Sequence, residues 1–443
     1  MLVLQKISRK EFLKSLGGLT AINSGNSNKS CSADKPQTAA RMIRTSDFSQ
    51  GKEFTTVCIG CDRGCGVLLT VQDGNIIWVE GDPDHPVNEG YLCKDAEALF
   101  SVDSAEKWTP ELLCRSPGMP EWEVSDWGRT LRVIAQRIKK TRDFSFDEEC
   151  RRTLGIACIR GNTVLNNEEE YLFFKFFRAL GVVAMAEGGT HTSALSFTDW
   201  HKWVDEATLS AMWYKENALS QAYKSYLPER IEVDLPSLLM DKTVKGMFIW
   251  GGDFFLDEPA GKAFGSVENL EWLVLVDWFK TEKEFATKLG KIAVACPQAE
   301  IFCLPVAAPW EKTGSLVSAG RWVQWCTKAV NPRGQVRLPL WIVDRLYKDV
   351  REEYRKGGVF PGPIVDLKWD YQGDTLPDVG RVAAELSGYS SGRGSWLGGH
   401  TLLGSDSAAA CGFPLLRGYW AERDIPSMRR GPEGKSWGFV LPQ

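Results

Sequence analysis

Residues 154–181 read LGIACIRGNTVLNNEEEYLFFKFFRALG, a complete β-α unit in a single stretch. Leu154–Ile159 is a short apolar run of strand length. Asn166 or Asn167 can cap the helix that follows, and Glu170, three residues after Asn167, completes a capping-box pattern. Gly181 stops that helix. The same texture recurs downstream. Gly246–Trp250 (GMFIW) ends in Gly251-Gly252-Asp253, Leu273–Asp277 is a second buried run, and Ile301–Leu304 is a third, with helical stretches between them. Upstream, Arg129–Lys140 carries Leu131, Ile134 and Ile138 at helical spacing. Strands alternating with helices predict an α/β chain with a Rossmann-like, doubly wound parallel sheet, whose ligands would lie at the carboxyl ends of the strands. That domain is expected over residues 116–345.

A smaller domain is expected over 46–115. Val67–Gln72 and Asn75–Glu80 are β-type runs joined by Asp73-Gly74, a strong two-residue hairpin signal. Gly81–Pro86 contains one glycine and two prolines and reads as loop. Around this hairpin lies Cys58-x2-Cys61-x3-Cys65, with Cys93 following after 27 intervening residues. Four thiolates satisfy the four irons of a cubane, three from one tight loop and the fourth from a distance. Gly60, Gly64 and Gly66 let the backbone wrap closely and offer N–H groups to sulfur. A [4Fe–4S] cluster is therefore expected, with zinc as the alternative that four cysteines also suit. The other eight cysteines stand singly; Cys158 and Cys303, in apolar runs, read as buried thiols. His85, in the loop before Cys93, reads as structural.

The chain has 443 residues, 43% of them apolar and 25% charged, so it can hold two or three folded domains. A net charge of −4 gives no electrostatic footprint for nucleic acid. Eighteen tryptophans are consistent with buried contacts in a multisubunit assembly. No run of eighteen apolar residues occurs, so no membrane-crossing helix is expected. Residues 1–45 read as leader and linker. Ser8–Lys14 (SRKEFLK) resembles a twin-arginine export signal with Lys10 in place of the second arginine, which implies the extracytoplasmic face of the membrane, with the cytoplasmic face as the alternative. Residues 346–443 read as a C-terminal extension, whose tail beyond about Ser387, Gly/Ser-rich with SSGRGSWLGGH (390–400), is expected to wrap the surface or a partner.

Several segments together resemble the molybdopterin oxidoreductases, and within them the catalytic α subunit of membrane-associated respiratory formate dehydrogenases. They are Cys58–Phe100 with EGDPDHPVNEGYLC, NNEEEYLFFKFFRALG, KGMFIWGGDFFLDEP, LVLVDWFKTE, LPVAAPWEKTGSLVSAGRWVQW, GGVFPGPIVDLKWDY and SAAACGF. The resemblance implies an N-terminal [4Fe–4S] domain followed by Rossmann-like domains that bind a molybdenum or tungsten bis(pyranopterin guanine dinucleotide). It implies that Lys94 lies between cluster and pterin, and that Asp277, Thr281 and Glu282 fall in the nucleotide-contacting segment.

The chain departs from the pattern at the metal. His191 fits the family histidine, but Thr190 precedes it where the family has cysteine or selenocysteine, and a neutral hydroxyl poorly replaces a soft thiolate. Gly188 and Gly189 stand where an arginine is expected. Near 197–235 a whole Rossmann-like domain of the family is missing, so the chain resembles a truncated member. The expectation is an iron–sulfur electron-transfer subunit of a respiratory complex without the molybdenum or tungsten bis-pterin and without catalytic residues, Thr190 and His191 being vestigial. Asp277, Thr281 and Glu282 would be vestigial nucleotide contacts. The expected partners are a multi-cluster ferredoxin-like subunit, a membrane quinone-reactive subunit and other redox subunits. Two alternatives stand beside it: a working formate dehydrogenase subunit completed by another chain, and a structural assembly module.

Overall fold

The computed structural model describes residues 51–61, 63–101, 109–160, 165–187, 234–251, 267–279, 281–318, 322–373, 376–390, 409–410, 419 and 439–440. The 1–45 leader, Thr190, His191 and the 197–233 stretch lie outside the described residues.

The first sheet is a three-stranded antiparallel meander of β1 (Lys52–Val57), β2 (Gly66–Gln72) and β3 (Asn75–Gly81). Asp73 (φ 51°) and Gly74 (φ 75°) both adopt the left-handed region, as the two-residue hairpin turn read from Asp-Gly requires. Helix α1 (Lys94–Ser101) follows and lays Ala96, Leu99 and Phe100 against Val67, Leu69 and Ile76 of this sheet.

The chain passes into a second, eight-stranded sheet at β4 (Leu113–Arg115), just inside the domain boundary of 115 expected from the sequence. Next come β5 (Glu123–Val124), α2 (Trp127–Ser145), β6 (Phe146–Asp147), β7 (Arg152–Arg160), α3 (Asn167–Ala179), β8 (Val182–Glu187), α4 (Leu235–Met240), β9 (Gly246–Trp250), β10 (Trp272–Asp277), α5 (Glu282–Ala295) and β11 (Glu300–Pro305). Five strands run parallel in the spatial order β8-β7-β9-β10-β11. This is the doubly wound order 2-1-3-4-5, whose switch point falls between β7 and β9. The expectation of an all-parallel sheet needs correction at the edges: β4, β5 and β6 pair antiparallel, making the sheet mixed.

Side chains alternate between two buried faces. Ile156, Cys158, Phe248, Trp250, Trp272 and Val274 face α2, α3 and two later helices, α6 (Pro339–Arg355) and α8 (Val379–Ser387). Ala157, Ile159, Met247, Ile249, Leu273 and Leu275 face α4 and α5 on the other side. Such strands read as continuous apolar runs because neither face meets water. The short α7 (Gly362–Val365) also packs on α3, and α6 begins before the 345 boundary expected for the C-terminal extension. Between β11 and α6 lies a hairpin of β12 (Gly314–Val317) and β13 (Trp322–Cys326).

Helix α3 is buried along its whole length, including three consecutive glutamates in its first turn. Its N-cap is Asn166, and the capping box closes on Glu169 rather than Glu170: the Asn166 N–H donates to Glu169 Oε2 at 2.9 Å. Each glutamate has a partner from elsewhere in the chain. Glu168 accepts from Ser315 N, Ser315 Oγ and Tyr419 Oη, Glu169 pairs with Lys312, and Glu170 lies 2.9 Å from Arg160 Nη1. The positive end of the helix at the switch point is thus filled by the chain's own carboxylates. Tyr419 comes from the region expected to wrap the surface, yet it is fully buried. Two further tail pieces, β15 (Ala409–Ala410) and β16 (Phe439–Val440), pair with β14 (Tyr389–Ser390) and β13.

Candidate metal centre

The loop from Cys58 to Cys65 is the connection between two paired strands. Val57 and Gly66 are register partners, and Cys58 N donates to Cys65 O at 2.7 Å, so these two cysteines flank the closed end of a hairpin. Cys61 lies between them on the loop. The N–H of Gly60 points at Cys58 Sγ, 3.4 Å away. Gly64 has φ +68°, and a Cβ there would stand 2.6 Å from Ser318 Cβ, so both conformation and space demand glycine. Gly66 is required by space alone: a Cβ would meet the His85 ring at 2.5 Å.

Cys93 reaches this loop because Asn88 ties the two segments. Its Oδ1 accepts from Gly66 N and its Nδ2 donates to Gly66 O, both at 2.9 Å, and Nδ2 also donates to Tyr91 O. Cys93 stands immediately before α1, and its carbonyl accepts from Glu97 N, in the manner of an N-cap residue. The positive end of the helix thus begins at the residue that carries the fourth thiol. Lys94 occupies the first helical position with an exposed side chain. Beneath the loops, Cys58 belongs to an apolar cluster with Val67, Leu69, Leu99, Phe100 and Trp310, against which Cys65 and Cys93 pack.

A second polar frame comes from β13. Val87 N donates to His85 Nδ1 at 3.3 Å, which leaves the ring proton on Nε2. That N–H points at Gln324 Oε1, 2.6 Å away, and Gln324 Nε2 donates to Gly64 O at 2.9 Å. His85 is thus a buried structural histidine, as read from sequence, whereas neither Asn88 nor Gln324 was singled out. A polar residue amid Trp322-Val323-Gln324-Trp325-Cys326 was the available signal, since a buried amide within a strand needs a specific partner.

The four thiols form one electrostatic unit. Burial pushes Cys58 up to about 12, opposed by the Gly60 N–H and reinforced by the proximity of Cys65, Cys61 and Cys93. Cys65 is pushed up to about 11, first by burial and then by Cys61, while Arg63 and its own N–H act the other way. Four mutually repelling thiolates in a half-buried pocket need cationic charge among them. Among the described residues no three His, Cys, Asp or Glu side chains are gathered as around one metal ion. The soft donor set, the loop that only glycine permits and the helix end all fit an iron–sulfur cluster.

Residues 52–99 match the model of the molybdopterin oxidoreductase Fe4S4 domain. Over this segment the chain is similar to the molybdopterin oxidoreductases. It is also similar to the formate dehydrogenase subunit alpha of Megalodesulfovibrio gigas, 34% identical over 185 residues, which are 40% of this chain and 18% of that protein. The formate dehydrogenase 2 subunit alpha (cytochrome c-553) of Nitratidesulfovibrio vulgaris is 32% identical over 41% of this chain and 18% of its own length. The nitrate-inducible formate dehydrogenase major subunit of Escherichia coli is 29% identical over 40% and 18%. The matches thus span about a fifth of these relatives' length. Acetylene hydratase from Pelobacter acetylenicus aligns over 69% of this chain and 70% of its own, at 11% identity and a TM-score of 0.38, a likeness too slight to carry weight.

The other sequence-predicted positions lie away from the thiols. Asp277 ends β10 and is buried; Lys288 Nζ lies 2.7 Å from its Oδ2, and Trp278 N donates to its Oδ1 at 2.9 Å. Thr281 caps α5, its Oγ1 accepting from Glu284 N at 3.2 Å, and Glu282 begins the helix with an exposed side chain. Thr190 and His191, expected as vestiges of the family's metal position, lie outside the described residues.

Proposed function

We propose that this chain is an iron–sulfur electron-transfer subunit of a membrane-associated respiratory redox complex, with Cys58, Cys61, Cys65 and Cys93 holding one [4Fe–4S] cluster. The convergence of these four cysteines at one hairpin end and one helix start is the observation that carries the reading. When bound, the cluster supplies a one-electron redox couple. The chain's residues hold and tune the site: Gly60 N–H donates to sulfur, the apolar floor limits water, and Cys93 stands at the start of α1. A lysine at the first position of a helix opposes the helix dipole. At Lys94 that cost is offset if the cation sits beside an anionic centre, where it favours the reduced state.

The molybdenum or tungsten bis-pterin is proposed to be absent. Thr190 stands where the family supplies sulfur or selenium. Asp277 and Thr281, which fall in the family's nucleotide segment, spend their oxygens on Lys288, Trp278 and Glu284 within the chain. The proposed partners are a multi-cluster ferredoxin-like subunit and a quinone-reactive membrane subunit, at the extracytoplasmic face. No helix among the described residues is long and apolar enough to cross a membrane.

Metal and cofactor analysis of the purified complex tests this. Four irons with acid-labile sulfide, and neither molybdenum, tungsten nor released guanine nucleotide, is the expected result; zinc in place of iron would sink it. The named activity of the relatives supports a second reading, a formate dehydrogenase subunit completed by another chain. Stoichiometric molybdenum or tungsten together with formate-dependent dye reduction would establish that reading instead.

A further inference from the structure

We propose that Gln324 sets the reduction potential of the cluster centre, acting through the peptide bond between Gly64 and Cys65. The inference rests on the cluster reading above. Gln324 comes from a strand 260 residues away in sequence and is buried beside the cysteine loop. The direction of its amide is fixed from behind. His85 Nδ1 accepts from Val87 N, so His85 Nε2 carries the proton and faces Gln324 Oε1. Gln324 Nε2 is then turned to Gly64 O at 2.9 Å.

A trans peptide points its C=O and N–H in opposite directions. Holding Gly64 O toward β13 therefore aims the N–H of Cys65, the residue that carries one of the four thiols, away from β13. Donation to the carbonyl polarises the whole peptide and strengthens the N–H on its far side, by roughly 10–30% per bond. Donors directed at cluster sulfurs favour the reduced, more negative state. Gln324 carries no charge, so its effect travels through the peptide dipole rather than through a net charge.

The hairpin does not need Gln324 to close. Cys58 N donates to Cys65 O, Val57 pairs with Gly66, and Asn88 grips Gly66 from the other side. These ties separate a tuning role from a purely structural one. Ser318 offers the control: it packs as tightly on Gly64 as Gln324 does, but does not donate to the Gly64 carbonyl.

The test is an equilibrium redox titration of the full chain with dithionite, followed by EPR, with iron measured on the same samples. Gln324→Met is expected to keep its iron and to shift the equilibrium toward the oxidised state by about twofold, which is about 18 mV for a one-electron couple at 59 mV per tenfold. Gln324→Glu replaces the Nε2 donor with a carboxylate oxygen whose charge adds to the loss of the donor, and should shift in the same direction and further than Gln324→Met. Ser318→Ala should leave the midpoint unchanged. An unchanged midpoint in either Gln324 variant with iron retained overturns the proposal, as does an equal shift in Ser318→Ala. Wild-type chain containing zinc or no cluster defeats the underlying cluster reading, and this inference with it.

Discussion

Asn88 and Gly66 exchange two hydrogen bonds at 2.9 Å, the side-chain amide of one satisfying both the N–H and the C=O of the other. Asn88 thus behaves like a strand partner one residue long, and it fastens the segment carrying Cys93 to the residue that follows Cys65. Replacing Asn88 by leucine leaves both Gly66 groups without that partner, a cost of about 1–3 kcal/mol. The expected outcome is loss of iron from the purified variant alongside a lower denaturant midpoint; full iron content in Asn88→Leu would contradict it.

Gly64→Ala meets two obstacles, the left-handed backbone and a 2.6 Å approach to Ser318 Cβ. Strain at such a position costs roughly 1–3 kcal/mol before any clash is counted. Adding Ser318→Gly relieves the clash but not the backbone. The double variant should therefore recover part of the lost stability, and chemical denaturation of both proteins reads the difference.

Glu169 and Lys312 form a buried ion pair at the start of α3, and Glu169 also accepts from Asn166 N. Glu169→Leu leaves Lys312 a buried cation without this carboxylate, which costs about 3–5 kcal/mol, whereas removing both charges together is often close to neutral. Stability should fall sharply in Glu169→Leu and largely return in Glu169→Leu/Lys312→Met, measured by urea unfolding.

Burial raises the Asp277 carboxyl from 3.8 to about 6 despite Lys288 beside it. With the folded value above the unfolded one, proton binding favours the fold. That contribution is complete below about pH 4 and is lost as pH rises through about 6. Asp277→Asn should show a flatter stability profile between pH 4 and 6 than the wild type. Parallel profiles from pH-dependent urea unfolding would refute this.

The elements legible in the sequence were those with a local signal. The Asp73-Gly74 hairpin and the strands at 154–159, 246–250, 273–277 and 301–304 are found within one or two residues of where their patterns place them. Strand β8 was missed because VVAMAE follows Gly181 directly and lacks a turn of its own. The short antiparallel edge strands carry too few residues to show a period. The capping register of α3 could not be settled locally, since two asparagines and three glutamates in a row offer two equivalent choices. Lys312, Ser315 and Arg160 break that tie from positions the sequence does not bring near. At the metal centre the cysteines and glycines were evident from spacing, whereas Asn88 and Gln324 acquire their roles only through tertiary hydrogen bonds.

Cys93 is at once the proposed fourth cluster ligand and the residue from which α1 starts, and Ala96, Leu99 and Phe100 of that helix are pinned in the apolar layer under Cys58. Iron loading and helix docking should therefore be a single event. A chain that failed to acquire its metal would reveal the fault as fraying at residues 94–101, giving a cell's proteases a means of culling blanks before they enter an assembly.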